Sequence, residues 1–227
     1  MSSGSLLLEE RKYLRDLLRR QDDGSEAVVL VGSWARGTYV SPLSDIDVLL
    51  VGGSVPREAP LGVQLLRVSL DELRSRVASG DDFLQWALRY GTALKGRRLW
   101  EKLRGELLER APWPEPDVKV RQAARRYRVA KALFDMGDLD AAQEEARFAL
   151  SHLARAQLLS HHVFPLSRPE LPDQLRALGH RELADGLERS NAPGDLPTSE
   201  LEELLSLIAR RLEAHGDSTF GRSPADG

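Results

Sequence analysis

The chain of 227 residues has no cysteine. That excludes disulfides, thiolate nucleophiles and cysteine-ligated zinc, and it suits a reducing compartment. The five histidines show no zinc-ligand spacing. No apolar run approaches the roughly 18–20 residues that cross a bilayer. The first twenty residues are charged and lack an apolar core, so no secretory leader is expected. The formal net charge of −3 gives no excess of one sign that would draw the protein to nucleic acid or an anionic membrane. What remains is 41% apolar and 30% charged, the composition of a soluble globular protein, expected in the cytoplasm. The length suits one or two domains with a core in each.

Hydrophobic periodicity divides the chain into two differently built halves. Leu6 to Arg20 reads as an amphipathic helix. Ala27–Val31 and Ile46–Val51 read as strands, the second nearly all apolar and so expected in the middle of a sheet. Val63–Val68 and Thr92–Lys95 complete the strands. Ser69 and Glu72 form a capping-box signature for a helix over Leu70–Ala78. Asp81 opens another helix that ends at Gly91, and Arg98–Arg110 closes the half. Pro112-Trp113-Pro114-Glu115-Pro116 holds three prolines in five residues and marks the boundary, because proline favours extended linkers. Beyond it the pattern is helical: Val118–Met136, then a long helix capped by Asp140 and Gln143 and ending near His161. Helices near Glu170–Leu178 and Arg181–Arg189 follow, then Glu200–His215 behind a Ser199/Glu202 box. The expected organisation is an α+β domain over residues 1–111, a bundle of four or five helices over 117–215, and a polar tail over 216–227 expected to be disordered.

The segment Gly32-Ser33-Trp34-Ala35-Arg36-Gly37 through Ser44-Asp45-Ile46-Asp47 concentrates the chemistry. It leaves one strand through a small-residue turn and enters the next on two acids. Side chains along a strand alternate in direction, so Asp45 and Asp47 face one way with backbones roughly 6.5–7 Å apart. Two converging carboxylates repel and desolvate each other, and a divalent cation relieves both costs. A small-residue turn before a helix start lets backbone N–H groups approach a phosphate. The combination points to a metal-bound nucleoside triphosphate, with Mg²⁺ or Mn²⁺ at Asp45 and Asp47. Gly32 and Ser33 would contact the triphosphate, and Arg36 is a bidentate phosphate donor or an exposed turn residue. Ser44 is a further nucleotide candidate, although a turn cap explains it better. Trp34 is read as a buried anchor before a base-stacking platform.

This pattern resembles the signature of nucleotidyltransferases of the DNA polymerase beta superfamily. The Ala-Arg-Gly after the Gly-Ser is most similar to the minimal nucleotidyltransferases, which include antitoxin enzymes and relatives of aminoglycoside nucleotidyltransferases. The resemblance implies transfer of a nucleoside monophosphate from an NTP to a hydroxyl of a small molecule or a protein, with pyrophosphate released. It also implies a third carboxylate on the third strand, and Val63-Gln64-Leu65-Leu66-Arg67-Val68 has none. Glu58 and Asp71 are the nearest acids, and Asp71 suits a helix N-terminus without any catalytic role. The alternative is therefore a weak or inactive module that binds nucleotide or a partner, for example of toxin–antitoxin type.

The second half resembles the HEPN type of helical domain, through the Ala and aromatic spacing around Gly137-Asp138-Leu139-Asp140-Ala141-Ala142. That resemblance implies a possible homodimer. The Arg-x(4–6)-His pattern of HEPN ribonucleases is met by Arg147/His152, Arg155/His161 and Arg155/His162. Overlapping matches in so arginine-rich a chain carry little weight, and nucleic acid is not an expected partner.

Overall fold

The computed structural model describes residues 24–38, 45–53 and 62–220, with side chains described to residue 215. Within these the chain forms two compact units. The first runs to Pro114 and also takes in Ser167–Pro169; the second is made of Glu115–Leu166 and the residues from Glu170 onward. The helix expected over Leu6–Arg20 lies outside the described residues.

The first unit is built on four strands: β1 (Ser25–Val31), β2 (Ile46–Gly52), β3 (Val63–Val68) and β4 (Thr92–Lys95). Their order is β3-β2-β1-β4. β1 runs antiparallel to both β2 and β4, and β2 runs parallel to β3, so the sheet is mixed. The two central strands are the two most apolar, as burial on both faces requires. Val28, Leu30, Val48 and Leu50 gather on one face with Trp34, Ile46 and Val63. Their alternates Ala27, Val29, Val31, Leu49 and Val51 are also buried. Trp34 belongs to α1 (Gly32–Arg36) and is 9% exposed, an anchor under the sheet.

Helices α2 (Leu70–Ala78), α3 (Asp82–Tyr90) and α4 (Arg97–Leu108) complete this unit. Local chemistry sets their ends. Ser69 Oγ accepts the Glu72 N–H at 3.1 Å, while the Glu72 carboxylate turns to Arg76, so only half of the expected capping box forms. Asp81 accepts the Leu84 N–H at 2.8 Å with one oxygen and two Arg76 N–H groups with the other, fixing the end of α2 to the start of α3. Arg104 donates to the carbonyls of Leu88 and Gly91, closing the C-terminal end of α3.

The second unit is helical: α5 (Pro116–Asp135), α6 (Leu139–Ser160), α7 (Leu171–Ala177), α8 (Arg181–Asn191) and α9 (Thr198–Phe220). Alanines line the seam between its longest neighbours. Ala123 and Ala130 of α5 and Ala142, Ala146 and Ala149 of α6 are buried together with leucines of α6, α8 and α9. Small side chains let the α5 and α6 backbones come close, and leucines fill the wider gaps.

Three sequence expectations change here. Asp138, not Asp140, caps α6, accepting the Ala141 N–H, because the left-handed Gly137 (φ +82°) turns the chain two residues earlier. Gln143 instead spans to the Gly194 carbonyl and the Leu196 N–H. The last helix starts at Thr198, with Pro197 O accepting the N–H groups of Glu200 and Leu201, so Ser199 is inside it. It also continues to Phe220 through Gly216, where the tail was expected to begin. Glycine costs a helix about 1 kcal/mol relative to alanine and does not by itself end one.

Candidate active site

β1 ends where α1 begins, at Gly32 with φ +68°. Two constraints keep this residue a glycine. The left-handed backbone disfavours a side chain, and a Cβ there would lie 2.3 Å from Asp47 Oδ2. The Asp47 carboxylate therefore rests against the backbone of the turn. The register explains how it arrives there: Asp47 pairs with Val31 across the β1–β2 ladder, one residue before Gly32. Asp45 stands just before β2 and shares the face of Asp47.

The electrostatics follow from this crowding. Burial raises the Asp47 pKa, the nearby charge of Asp45 raises it further, and Arg168 pulls the other way; the net result is a pKa pushed up to about 6. The Arg168 pKa falls below its ordinary value because the protein around its guanidinium removes solvent, with Asp47 and then Asp45 opposing the shift. Arg168 nonetheless keeps an exposed surface. It reaches this place on a short segment that belongs to the first unit although the chain on either side belongs to the second. Ser167 is buried, and its hydroxyl is 2.7 Å from Thr38 Oγ1, just beyond α1.

The third strand contributes an amide where the resemblance implies an acid. Gln64 pairs in register with Asp47, and its Nε2 donates to Asp45 Oδ2 at 3.2 Å. Asp71 is turned out to solvent with Arg74 as its partner, which fits the helix-terminus reading. Glu58 and Ser44 lie outside the described residues. Ser33 is half-buried in α1, and its carbonyl accepts the Thr38 N–H at 3.0 Å. The Arg36 guanidinium lies 5.2 Å from the centre of the Tyr90 ring, over its face, and Tyr90 packs on Trp86 with ring centres 5.4 Å apart. The structure thus brings Gly32, Asp45 and Asp47 together with Gln64, and it holds Arg36 on an aromatic ring.

Residues 10–136, more than half of the chain, match the nucleotidyltransferase domain family. The chain belongs to that family. The nucleotidyltransferase match takes in the whole sheet, Gly32, Asp45 and Asp47, and it stops before Arg168. The chain is also similar to a nucleotidyltransferase-like protein from Exiguobacterium sibiricum 255-15, with 16% identity and a TM-score of 0.45. That likeness spans 90% of this chain and 74% of the other, and at this level it carries no argument about the site. No curated protein matches the chain.

Sequence reasoning missed Arg168. It lies far along the chain (Ser167 is 129 residues from Thr38) in a connection between helices, where no periodicity or motif points to it. The one local signal is the proline-framed Ser167-Arg168-Pro169, which marks a turn without saying what it meets.

Among the described residues no group of three or more His, Asp or Glu is placed to hold a metal ion. Two carboxylates still suit magnesium, which is bound through one or two carboxylates with substrate phosphates and water completing its shell. The packing of Asp47 fits: its carboxylate is partly buried against Gly32 and near a second acid, at a cost that a cation would remove.

Proposed function

We propose that this site moves a nucleoside monophosphate from an NTP to a hydroxyl of a small molecule or a protein. The acceptor hydroxyl gives up its proton to solvent water, its oxygen attacks the α-phosphorus, the α–β phosphoanhydride bond breaks, and pyrophosphate leaves. One observation carries the reading: Asp47 is packed against the glycine turn and kept beside Asp45 although both carry negative charge. Family membership supports the transferase class.

In this reading Asp45 and Asp47 hold Mg²⁺ or Mn²⁺, Gly32 and Ser33 offer backbone N–H groups to the triphosphate, and Ser44 joins them. Arg36 moves from the Tyr90 ring to a phosphate when nucleotide arrives. Bound metal supplies charge neutralisation and lowers the pKa of the attacking hydroxyl. Gln64 keeps Asp45 oriented through its N–H donor and has no basic site of its own for the acceptor proton. The helical unit is read as HEPN-like and as the surface of a homodimer, in a cytoplasmic protein.

Pyrophosphate release with Mg²⁺, an NTP and a panel of hydroxyl acceptors tests the reading. Turnover that Asp47→Asn eliminates supports it; turnover unchanged in that variant contradicts the assignment of Asp47. A second reading, nucleotide binding without transfer, is favoured by Gln64 standing beside Asp47 on a strand that has no acid. Loss of a general base costs about 10²–10⁴-fold in rate, enough to leave binding and remove useful turnover. Under that reading Gln64→Glu raises turnover, and wild-type protein binds Mg²⁺–NTP without releasing pyrophosphate.

A further inference from the structure

We propose that Arg168 is a phosphate-binding residue of the nucleotide site, held in the metal-free protein as the counter-cation of Asp45 and Asp47. The proposal rests on the nucleotidyl-transfer reading of the same site. Three observations lead to it. Ser167–Pro169 belongs to the first unit while Leu166 and Glu170 belong to the second, so the chain brings these three residues to the sheet domain and then leaves it. The segment is fastened to the sheet unit: Ser167 is 3% exposed and its hydroxyl is 2.7 Å from Thr38 Oγ1, just beyond the helix that starts at Gly32. The Arg168 charge then acts on both Asp47 and Asp45, and part of the residue's surface stays exposed.

A guanidinium cannot bind a metal ion, yet it occupies the electrostatic position that a metal would take. When a divalent cation settles between the carboxylates, like charge drives the guanidinium off them. The metal-bound phosphates are then its nearest anions, and its planar fork matches their oxygens. Arg168 therefore opposes metal binding when no nucleotide is present and favours the metal–nucleotide complex. The site is partly neutralised while empty and exchanges one counter-cation for a more highly charged one on loading.

The two halves of this account have opposite signs, which makes it testable on the full chain by calorimetry. Arg168→Ala and Arg168→Gln are titrated with Mn²⁺ alone and with the Mg²⁺ complex of a non-hydrolysable NTP, with thermal melting as a folding check. Mn²⁺ alone is expected to bind about threefold or more tighter, because a competing positive charge is gone. The Mg²⁺–NTP complex is expected to bind about 10- to 100-fold weaker, the loss that follows removal of a charge-assisted hydrogen-bond donor, with Arg168→Lys in between. A purely structural role would weaken both ligands together. That result, or an unchanged NTP affinity, overturns the proposal while leaving the function reading in place. Wild-type protein that binds neither Mn²⁺ nor any NTP overturns the function reading and this one with it.

Discussion

The helical unit and the strand junction of the sheet unit treat their charged residues in opposite ways. In the helical unit opposite charges meet. Arg126 makes two bonds to Glu145 and lies over Phe148, Arg176 pairs with Asp185 and Glu188, Arg189 with Glu203, and Arg210 and Arg211 share Glu182. At the end of β1 and the start of β2 the sheet unit does the reverse. It holds Asp47 beside Asp45, partly buries it, and lays it against a glycine with no room for a Cβ. Like charges kept together against their own preference mark where a ligand is expected, whereas matched surface pairs need only solvent and geometry to explain them.

The sharpest way to break this contrast is to remove the repulsion. The double variant Asp45→Asn/Asp47→Asn removes both proposed metal ligands. Its Mn²⁺ affinity should fall by more than the about 10–100-fold that losing an outer-shell partner costs. Titration of Mn²⁺ alone checks this, and retained affinity would show that the acids serve another purpose. Next in size is Gly32→Ala. The new methyl meets Asp47 Oδ2 on a left-handed backbone, so urea unfolding should show a loss of about 1–3 kcal/mol, and metal uptake should weaken with it.

A smaller effect has the opposite sign. The folded-state pKa of Asp47 is raised to about 6, above the ordinary carboxylate value of 3.8. Its ionisation therefore costs stability above about pH 6, and that cost disappears as pH falls toward 3.8. Metal-free Asp47→Asn should melt higher than wild type at pH 7.5, by about 2–4 °C per kcal/mol of relieved burial and repulsion, and lose that advantage near pH 4. Wild-type Mn²⁺ affinity should weaken below about pH 6 as Asp47 takes up its proton. The smallest effect belongs to the helical unit. Arg126→Ala breaks a matched, half-exposed pair, so unfolding should register about 1 kcal/mol and nucleotide binding should not change.

What the sequence made legible were features carried by neighbours in the chain. The apolar runs of β1 and β2, the Ser69 cap and the turn-then-acids order of Gly32 to Asp47 are all local patterns. The α+β class follows from the first two. The cap of α6 was misplaced because Asp138 and Asp140 are both good capping residues, and only the conformation of Gly137 decides between them. Two features of the site depend on contacts between distant residues. That Gly32 must lack a side chain because of Asp47 needs the β1–β2 register, and that Gln64 binds Asp45 needs the parallel β2–β3 pairing. Arg168 depends on a three-residue return to the sheet unit, which no periodicity encodes.

The central claim is that Asp45 and Asp47 form a metal-dependent nucleotide site. Calorimetric titration of a non-hydrolysable NTP series into wild-type protein, first with Mg²⁺ and then with EDTA, tests it most directly. The account predicts Mg²⁺-dependent binding that disappears in EDTA and in Asp47→Asn. Binding that persists unchanged in EDTA and in that variant, or no binding of any nucleotide, would contradict it.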